Sequence, residues 1–279
     1  MSKEDIKAAI ARATSKFTQD EYFERSESRE VVTPENIGGL VEYPALFHAM
    51  RDDRELRPAL TEAMSTGRAM TDFLAMSPEE FLAKYEVADG PVNPKTGKPY
   101  GAETKAYLEW RATREKTPVT TAQFNMFGKM AQAYNSHEMV RSLAGYERMR
   151  NVILAAVVER VPCLCKVDSL YVGDDAVFAL DVKTTSDLCA FGRAARGLYY
   201  PEQQALISLV LGVIGCGIPH SVHSVGIIAL EKGPMPRAGA FRIGEMADCR
   251  ERVRAMLAEY ADNCDSGKFA TRFEAPRVI

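Results

Sequence analysis

The chain has 279 residues, 46% of them hydrophobic and 26% charged, with a formal net charge of −3. That composition is one of a globular protein with room for one large domain or two modest ones, and its charge balance excludes a chain that is basic overall. No apolar run approaches the ~20 residues that span a bilayer, and the opening MSKEDIKAAIARATSKF is too charged for a signal peptide, so a cytoplasmic protein away from membranes is expected.

Residues 4–17 read as a short amphipathic helix, and Glu21–Val32 (EYFERSESREVV) as a polar, irregular stretch. Thr33 before Pro34 predicts a helix start within 33–53. Residues 56–85 carry apolar side chains at helical spacing, with Ser77-Pro78 starting a further turn, and the Pro- and Gly-rich ADGPVNPKTGKPYG (88–101) reads as a loop. Two helices, Ala102–Lys116 and Thr120–Leu143, flank Thr117-Pro118, with Thr120-Thr121 as N-cap of the longer one. Residues 101–160 hold nine Lys/Arg against six Asp/Glu, which by itself is a solvated helical surface. His137 reads as a helix-terminal cap, and Tyr107 with Trp110 as packing.

After Gly145 the pattern changes. Segments 152–158, 161–172 and 176–184 are rich in β-branched residues, and Gly173-Asp174-Asp175 is a tight turn between the last two. A helix over Pro201–Val213, strands over 223–231 and 237–244, and a helix from Met246 to Cys264 follow. The order describes an α/β or α+β core behind a helical N-terminal region. The six cysteines include only one close pair, Cys163 and Cys165, without a CxxC clip, and read as reduced, mostly buried thiols.

The chemistry concentrates in AVFALDVKTTS (176–186). Strand side chains alternate, so Asp181 and Lys183 share a face at the end of an apolar strand. With the turn at 173–175, pairing residues whose numbers sum to about 349 places Asp168 opposite Asp181. Two carboxylates so close repel, and an apolar surround or a bound cation must relieve them. Magnesium suits such a site, because it takes carboxylate oxygens together with waters and substrate phosphate. A cation there activates water, and Lys183 positions or deprotonates that water or neutralises developing charge. The plain alternative is a cross-strand salt bridge, worth ~0–1 kcal/mol if exposed.

The spacing D-x12-D-x-K over Asp168, Asp181 and Lys183 resembles the PD-(D/E)XK nuclease superfamily. Further segments resemble its RecE-type exonucleases (the exodeoxyribonuclease VIII family). FGRAARGLYYPEQQALISLVL (191–211) is similar to that family's Y-x-x-Q-x-A helix, which would be Tyr200, Gln203 and Ala205 here. HSVGIIALEKGPMPRAGAFRIG resembles its strand, E-K-x-x-P, strand segment. TTAQFNMFGKMAQAYNSHEMVRSLAG and TPENIGGLVEYPALFHAM resemble its upstream helices, so the similarity runs in order from about 33 to 268.

The resemblance implies a PD-(D/E)XK core, a mixed central β-sheet flanked by helices with a helical N-terminal region. It also implies one nuclease-like domain over 33–279, helical over 33–145 and sheet-based over 146–279, after an N-terminal helix and polar segment over 1–32. Asp168 and Asp181 with the Val182 carbonyl would hold Mg²⁺, or Mn²⁺ in its place, and Lys183 would act on the attacking water. Gln203 would lie near metal and phosphate, with Tyr200 and Thr184 as substrate-binding positions. The implied activity is 5′-to-3′ digestion of one strand from the ends of double-stranded DNA, by a homo-oligomer serving a single-strand annealing recombinase in a bacterial or phage-infected cell. Two departures stand out. The family's G-x-x-x-H histidine falls on Thr71 or Asp72, and its glutamate before the first core strand falls on Glu147 or on Asn151. Glu147 is the candidate third acidic ligand. A module that keeps the fold and binds DNA or protein without turnover, and a related endonuclease, are the alternatives.

Overall fold

The computed structural model describes residues 2–58, 61–174, 176–216, 223–244 and 246–269. Helix α1 (Lys3–Ala13) begins at a capping box between Ser2 and Asp5 and buries Ile6, Ala9 and Ile10 at helical spacing. The polar stretch after it is helical in its first half, contrary to expectation. Helix α2 (Gln19–Glu27) is nucleated by a second capping box, Thr18 with Glu21, and anchored by Tyr22, which is fully buried beside Ile153 and Leu164. A strong cap and one aromatic anchor outweigh a weakly apolar sequence.

Thr33 caps a turn one step ahead of the helix. Its amide donates to Asn36 Oδ1 at 2.8 Å, and the Asn36 side-chain amide donates to the Ser26 and Val31 carbonyls. Helices α3 (Ile37–Glu42) and α4 (Pro44–Asp52) follow. Helix α5 (Glu62–Ala75) is followed by α6 (Pro78–Lys84), which starts at the Ser77–Glu80 capping box as expected. One element was not foreseen. Strand β1 (Tyr85–Val87) pairs in parallel with β2 (Thr117–Val119), on either side of α7 (Lys105–Ala112), so Thr117-Pro118 is strand and not mere separator. Helix α8 (Thr121–Ser136) starts from the Thr120 cap, and His137 caps α9 (Glu138–Ser142) by accepting from the Met139 amide at 3.2 Å.

The central sheet takes its strands in chain order, β3 (Glu147–Val158), β4 (Val161–Val172), β5 (Val177–Thr185), β6 (His223–Glu231) and β7 (Ala238–Phe241). All neighbours are antiparallel except β5 and β6, which run parallel and are joined through α10 (Phe191–Gly197) and α11 (Tyr200–Leu211). A left-handed residue, Tyr199 at φ 57°, separates those two helices, so the single helix suggested over 191–211 is broken there. Helix α12 (Met246–Ser266) closes the described chain. This is a mixed α/β fold with a helical N-terminal region. Residues from α1, α3, α4, α11 and α12 cover one sheet face, and residues from α5, α6 and α8 the other. Covered on both faces, β4 is buried at every position but Pro162, and α11 at every position from Gln203 to Leu211. No helix among the described residues is long and apolar enough to cross a membrane. Cys163 and Cys165 are buried free thiols.

The register positions the site. Strands β4 and β5 pair Ser169 with Leu180 through Val172 with Val177, the sum of 349 expected from the turn, although Asp175 itself lies outside the described residues. The ladder stops one pair short of Asp168 and Asp181. At the same level the β3–β4 ladder skips Asn151 and Asp168, and Asn151 takes φ 50°. Side-chain alternation resets there, since Val167 and Leu170, an odd and an even position, both enter the same core. Asp168 thus sits where the backbone pattern of two strand pairs is interrupted.

Two predictions concern this frame. A Cβ at Gly173 would overlap the ring of Tyr146, which packs edge-on against Phe178 at 5.3 Å. Gly173→Ala is therefore expected to destabilise by about 1–3 kcal/mol in urea unfolding, and Tyr146→Ala in the same chain to remove most of that cost. At the β6–β7 hairpin, Arg237 clamps Glu231 at 2.7 and 3.0 Å, and the Leu188 amide adds a third bond at 3.0 Å. These bonds, Arg237 first, hold the Glu231 carboxyl at about 2. A depressed folded-state value means stabilisation that is complete above the unfolded value of ~4.3 and disappears as pH falls toward the folded one. Carboxyl NMR should give Glu231 a midpoint well below the unfolded glutamate value of ~4.3.

Candidate active site

The site is built from two tripeptides of mirrored sequence. Lys166-Val167-Asp168 ends the lower half of β4, and Asp181-Val182-Lys183 opposes it on β5. The β4–β5 ladder ends just before them, and each acid is met by the lysine two residues away on its own strand. Lys166 Nζ lies 2.6 Å from Asp168 Oδ1, and Lys183 Nζ lies 2.8 Å from Asp181 Oδ2. Where the main-chain ladder has stopped, the Val182 amide donates instead to Asp168 Oδ2 at 2.9 Å. A carboxylate has replaced a backbone carbonyl as the strand's partner. An extended residue turns its N–H and C=O toward the same neighbour, so the Val182 carbonyl also points into this gap.

Both acids are nearly enclosed, Asp168 at 8% and Asp181 at 7% exposure. Their environments drive them apart. Burial pushes Asp168 up, but Lys166, Lys183 and the Val182 amide outweigh it and keep the carboxyl below its ordinary value. Burial raises Asp181 to about 7, with Asp168 adding to the rise and Lys183 opposing it. The two lysines stay charged. Burial works against each ammonium, and the carboxylate beside it wins, so both are held above the ordinary lysine value. Lys183 also lies 5.0 Å from the centre of the Tyr200 ring, a cation–π contact that restrains it.

Asp168, Asp181, Val182, Lys183 and Tyr200 are therefore brought together as the sequence suggested. Others are not. Gln203 donates to the Leu198 carbonyl at 3.1 Å, while its neighbour Gln204 donates to Asp181 Oδ2 at 3.0 Å. One residue along a helix is a rotation of ~100°, and that rotation decides which glutamine of the pair faces the acid. Thr184 projects from the opposite face to Lys183 and lies beside Gly67 of α5. Glu147 pairs with Val172 at the far end of the β3–β4 ladder, four residues or ~13 Å along the strand from the Asn151 level. Its carboxylate is engaged by Lys7 at 3.1 Å and Lys3 at 3.7 Å, so it is not a third ligand here. Asp72, one of the two positions onto which the resemblance places a histidine, is buried and accepts from the Tyr85 hydroxyl at 2.8 Å, with Lys84 at 3.2 Å.

Besides Gln204, Lys166 and Glu35 escaped the sequence reading. Lys-x-Asp spacing over 166–168 is the same signal as Asp-x-Lys over 181–183 and was there to be read. Glu35 is held by the Tyr22 hydroxyl and acts electrostatically on both Lys166 and Lys183. No signal in its own segment marks it. A cleft of about 840 Å³ lined by Arg25, Arg51, Arg54, Arg57 and Arg68 with several acids lies apart from these residues, and none of the four cluster side chains lines it.

The donors fit a divalent cation. Asp181 is pressed toward protonation by burial and by Asp168, which is the repulsion a cation relieves, and the Val182 carbonyl adds a hard oxygen. Among the described residues no three His, Cys, Asp or Glu side chains converge, so the side-chain ligands would be the two aspartates.

No protein-family model matches the chain, and no curated protein does. Among solved structures, the crystal structure of a putative exonuclease from Eubacterium rectale aligns over 95% of this chain and 95% of its own, at 13% identity and a TM-score of 0.58. The chain has the fold of that protein.

Proposed function

We propose that the protein is a magnesium-dependent deoxyribonuclease of the RecE type, which hydrolyses linear double-stranded DNA from its ends. The observation that carries this reading is the pair of buried aspartates, with Lys183 held between Asp181 and the Tyr200 ring, at the point where the β4–β5 ladder ends. The likeness of fold to the Eubacterium rectale protein supports it.

Asp168, Asp181 and the Val182 carbonyl would hold the cation. When bound, the cation supplies Lewis-acid polarisation of a phosphate oxygen and a water acidified toward neutrality. Lys183 is an ammonium in this arrangement, so it serves by donating hydrogen bonds. It orients the attacking water and neutralises charge that builds on a non-bridging phosphate oxygen. Tyr200 limits the sweep of that ammonium, and Gln204 fixes the Asp181 carboxylate from behind. The resemblance extends the reading to 5′-to-3′ polarity, a homo-oligomer, Mn²⁺ as an alternative cation, and a 3′ overhang handed to a single-strand annealing recombinase in a bacterial or phage-infected cytoplasm.

Incubation with end-labelled linear duplex and Mg²⁺ should release acid-soluble nucleotides, while closed circular DNA stays intact. Cutting of the circle would favour an endonuclease. A second reading, a DNA- or protein-binding module without turnover, draws on the two aspartates having no third acidic side chain beside them among the described residues. Binding to duplex ends with no nucleotide release would select it.

A further inference from the structure

We infer that Lys166 occupies the cation position of the site in advance, and that a divalent metal must displace its ammonium to bind Asp168, so that this one residue sets the metal affinity. The inference rests on the reading of Asp168 and Asp181 as a metal pair.

Asp168 has two carboxylate oxygens. The Val182 amide, part of the sheet, holds Oδ2 at 2.9 Å, and Lys166 holds Oδ1 at 2.6 Å. An incoming metal therefore meets an ammonium already seated on the oxygen that the main chain leaves open. Lys166 is no surface side chain folded over by chance. It is 5% exposed, against 18% for Lys183, and its strand neighbours Cys165 and Val167 are both buried. The two lysines thus divide the work. Lys183, the more exposed, lies against the Tyr200 ring, whereas Lys166 is enclosed, and among the described residues its one ion pair is with Asp168.

Charge counting gives the consequence. The two ammoniums offset the attraction of the two carboxylates for a dication, and removing the Lys166 charge makes the cluster more negative by one. Each phosphodiester brings one negative charge, which restores that attraction. The metal therefore binds the free protein weakly and enters with the DNA backbone, which limits hydrolysis by a preloaded enzyme.

Isothermal titration of MnCl₂ and MgCl₂ into the full chain tests this without any measurement of activity. Lys166→Met and Lys166→Gln remove the charge and are expected to tighten metal binding at least tenfold. Lys166→Arg keeps the charge and is expected to bind as the wild type does. Affinity unchanged or weaker in the Met and Gln variants overturns the inference, as does equal tightening by Arg. Should the uncharged variants fail to fold alone, recovery of the circular-dichroism melt by Mn²⁺ supports it, and unfolding that persists in Mn²⁺ overturns it. A wild type that binds metal with variants no tighter removes this inference alone. No binding by any form removes it together with the metal reading.

Discussion

Lys183→Ala is expected to lower hydrolysis of linear duplex DNA by ~10²–10³-fold, the usual cost of removing one donor aimed at charge that develops in the transition state. The ammonium is 2.8 Å from Asp181 and 5.0 Å from the Tyr200 ring centre, so its position is fixed before substrate arrives. The substitution also strips Asp181 of its counter-charge, and burial with Asp168 then drives that carboxyl further upward. Two measurements separate chemistry from damage. Binding of a duplex end in Ca²⁺ should change by less than the turnover does, and Lys183→Arg should recover part of the rate because it restores the charge at a longer reach. Undiminished degradation by the alanine variant would sink the proposed function.

Asp168→Ala should cost about 3–5 kcal/mol of stability, because it leaves a buried ammonium uncompensated. Lys166 is only 5% exposed, so solvent gives it little relief. The substitution also orphans the Val182 amide, which has no backbone acceptor where the β4–β5 ladder has ended. A double-mutant cycle isolates the ionic part. Adding Lys166→Met to Asp168→Ala should recover most of the loss in urea unfolding and leave behind only the orphaned amide, worth about 1–3 kcal/mol. If Asp168→Ala stays within 1 kcal/mol or so of the wild type, the picture of a charge pair buried to this depth is wrong.

Much of this was legible in the sequence, and the reasons differ by residue. The β4–β5 register followed from a short turn, because a hairpin turn fixes which residues oppose one another, and this brought Asp168 to Asp181 with no further information. The Ser77 and Thr120 caps were readable because a cap is a local motif. What failed was non-local or rotational. The pairing of β1 with β2 joins segments about thirty residues apart across a helix, and three-residue strands leave no periodicity. The identity of the working glutamine turned on the phase of α11, which tertiary packing sets. Glu147 was misplaced because β3 begins earlier than its apolar stretch, so its first residues pair with the far end of β4. Lys166 went unread because a lysine inside a strand buried on both faces contradicts the hydrophobic pattern. The ion pair with Asp168 accounts for its presence.

The replacement of a sheet hydrogen bond by the Asp168 carboxylate bears on how this protein can change over generations. A residue used only for chemistry drifts once the chemistry is no longer selected. Asp168 also completes the seam between two strands and neutralises a charge sealed inside the core, so folding alone preserves it. Under the proposed function, descendants that no longer cleaved DNA would keep Asp168 and lose Lys183 first, since Lys183 is the more exposed of the two lysines and no main-chain bond depends on it. An intact aspartate in a related chain is therefore weak testimony to activity, and the lysine on the facing strand is the position to inspect.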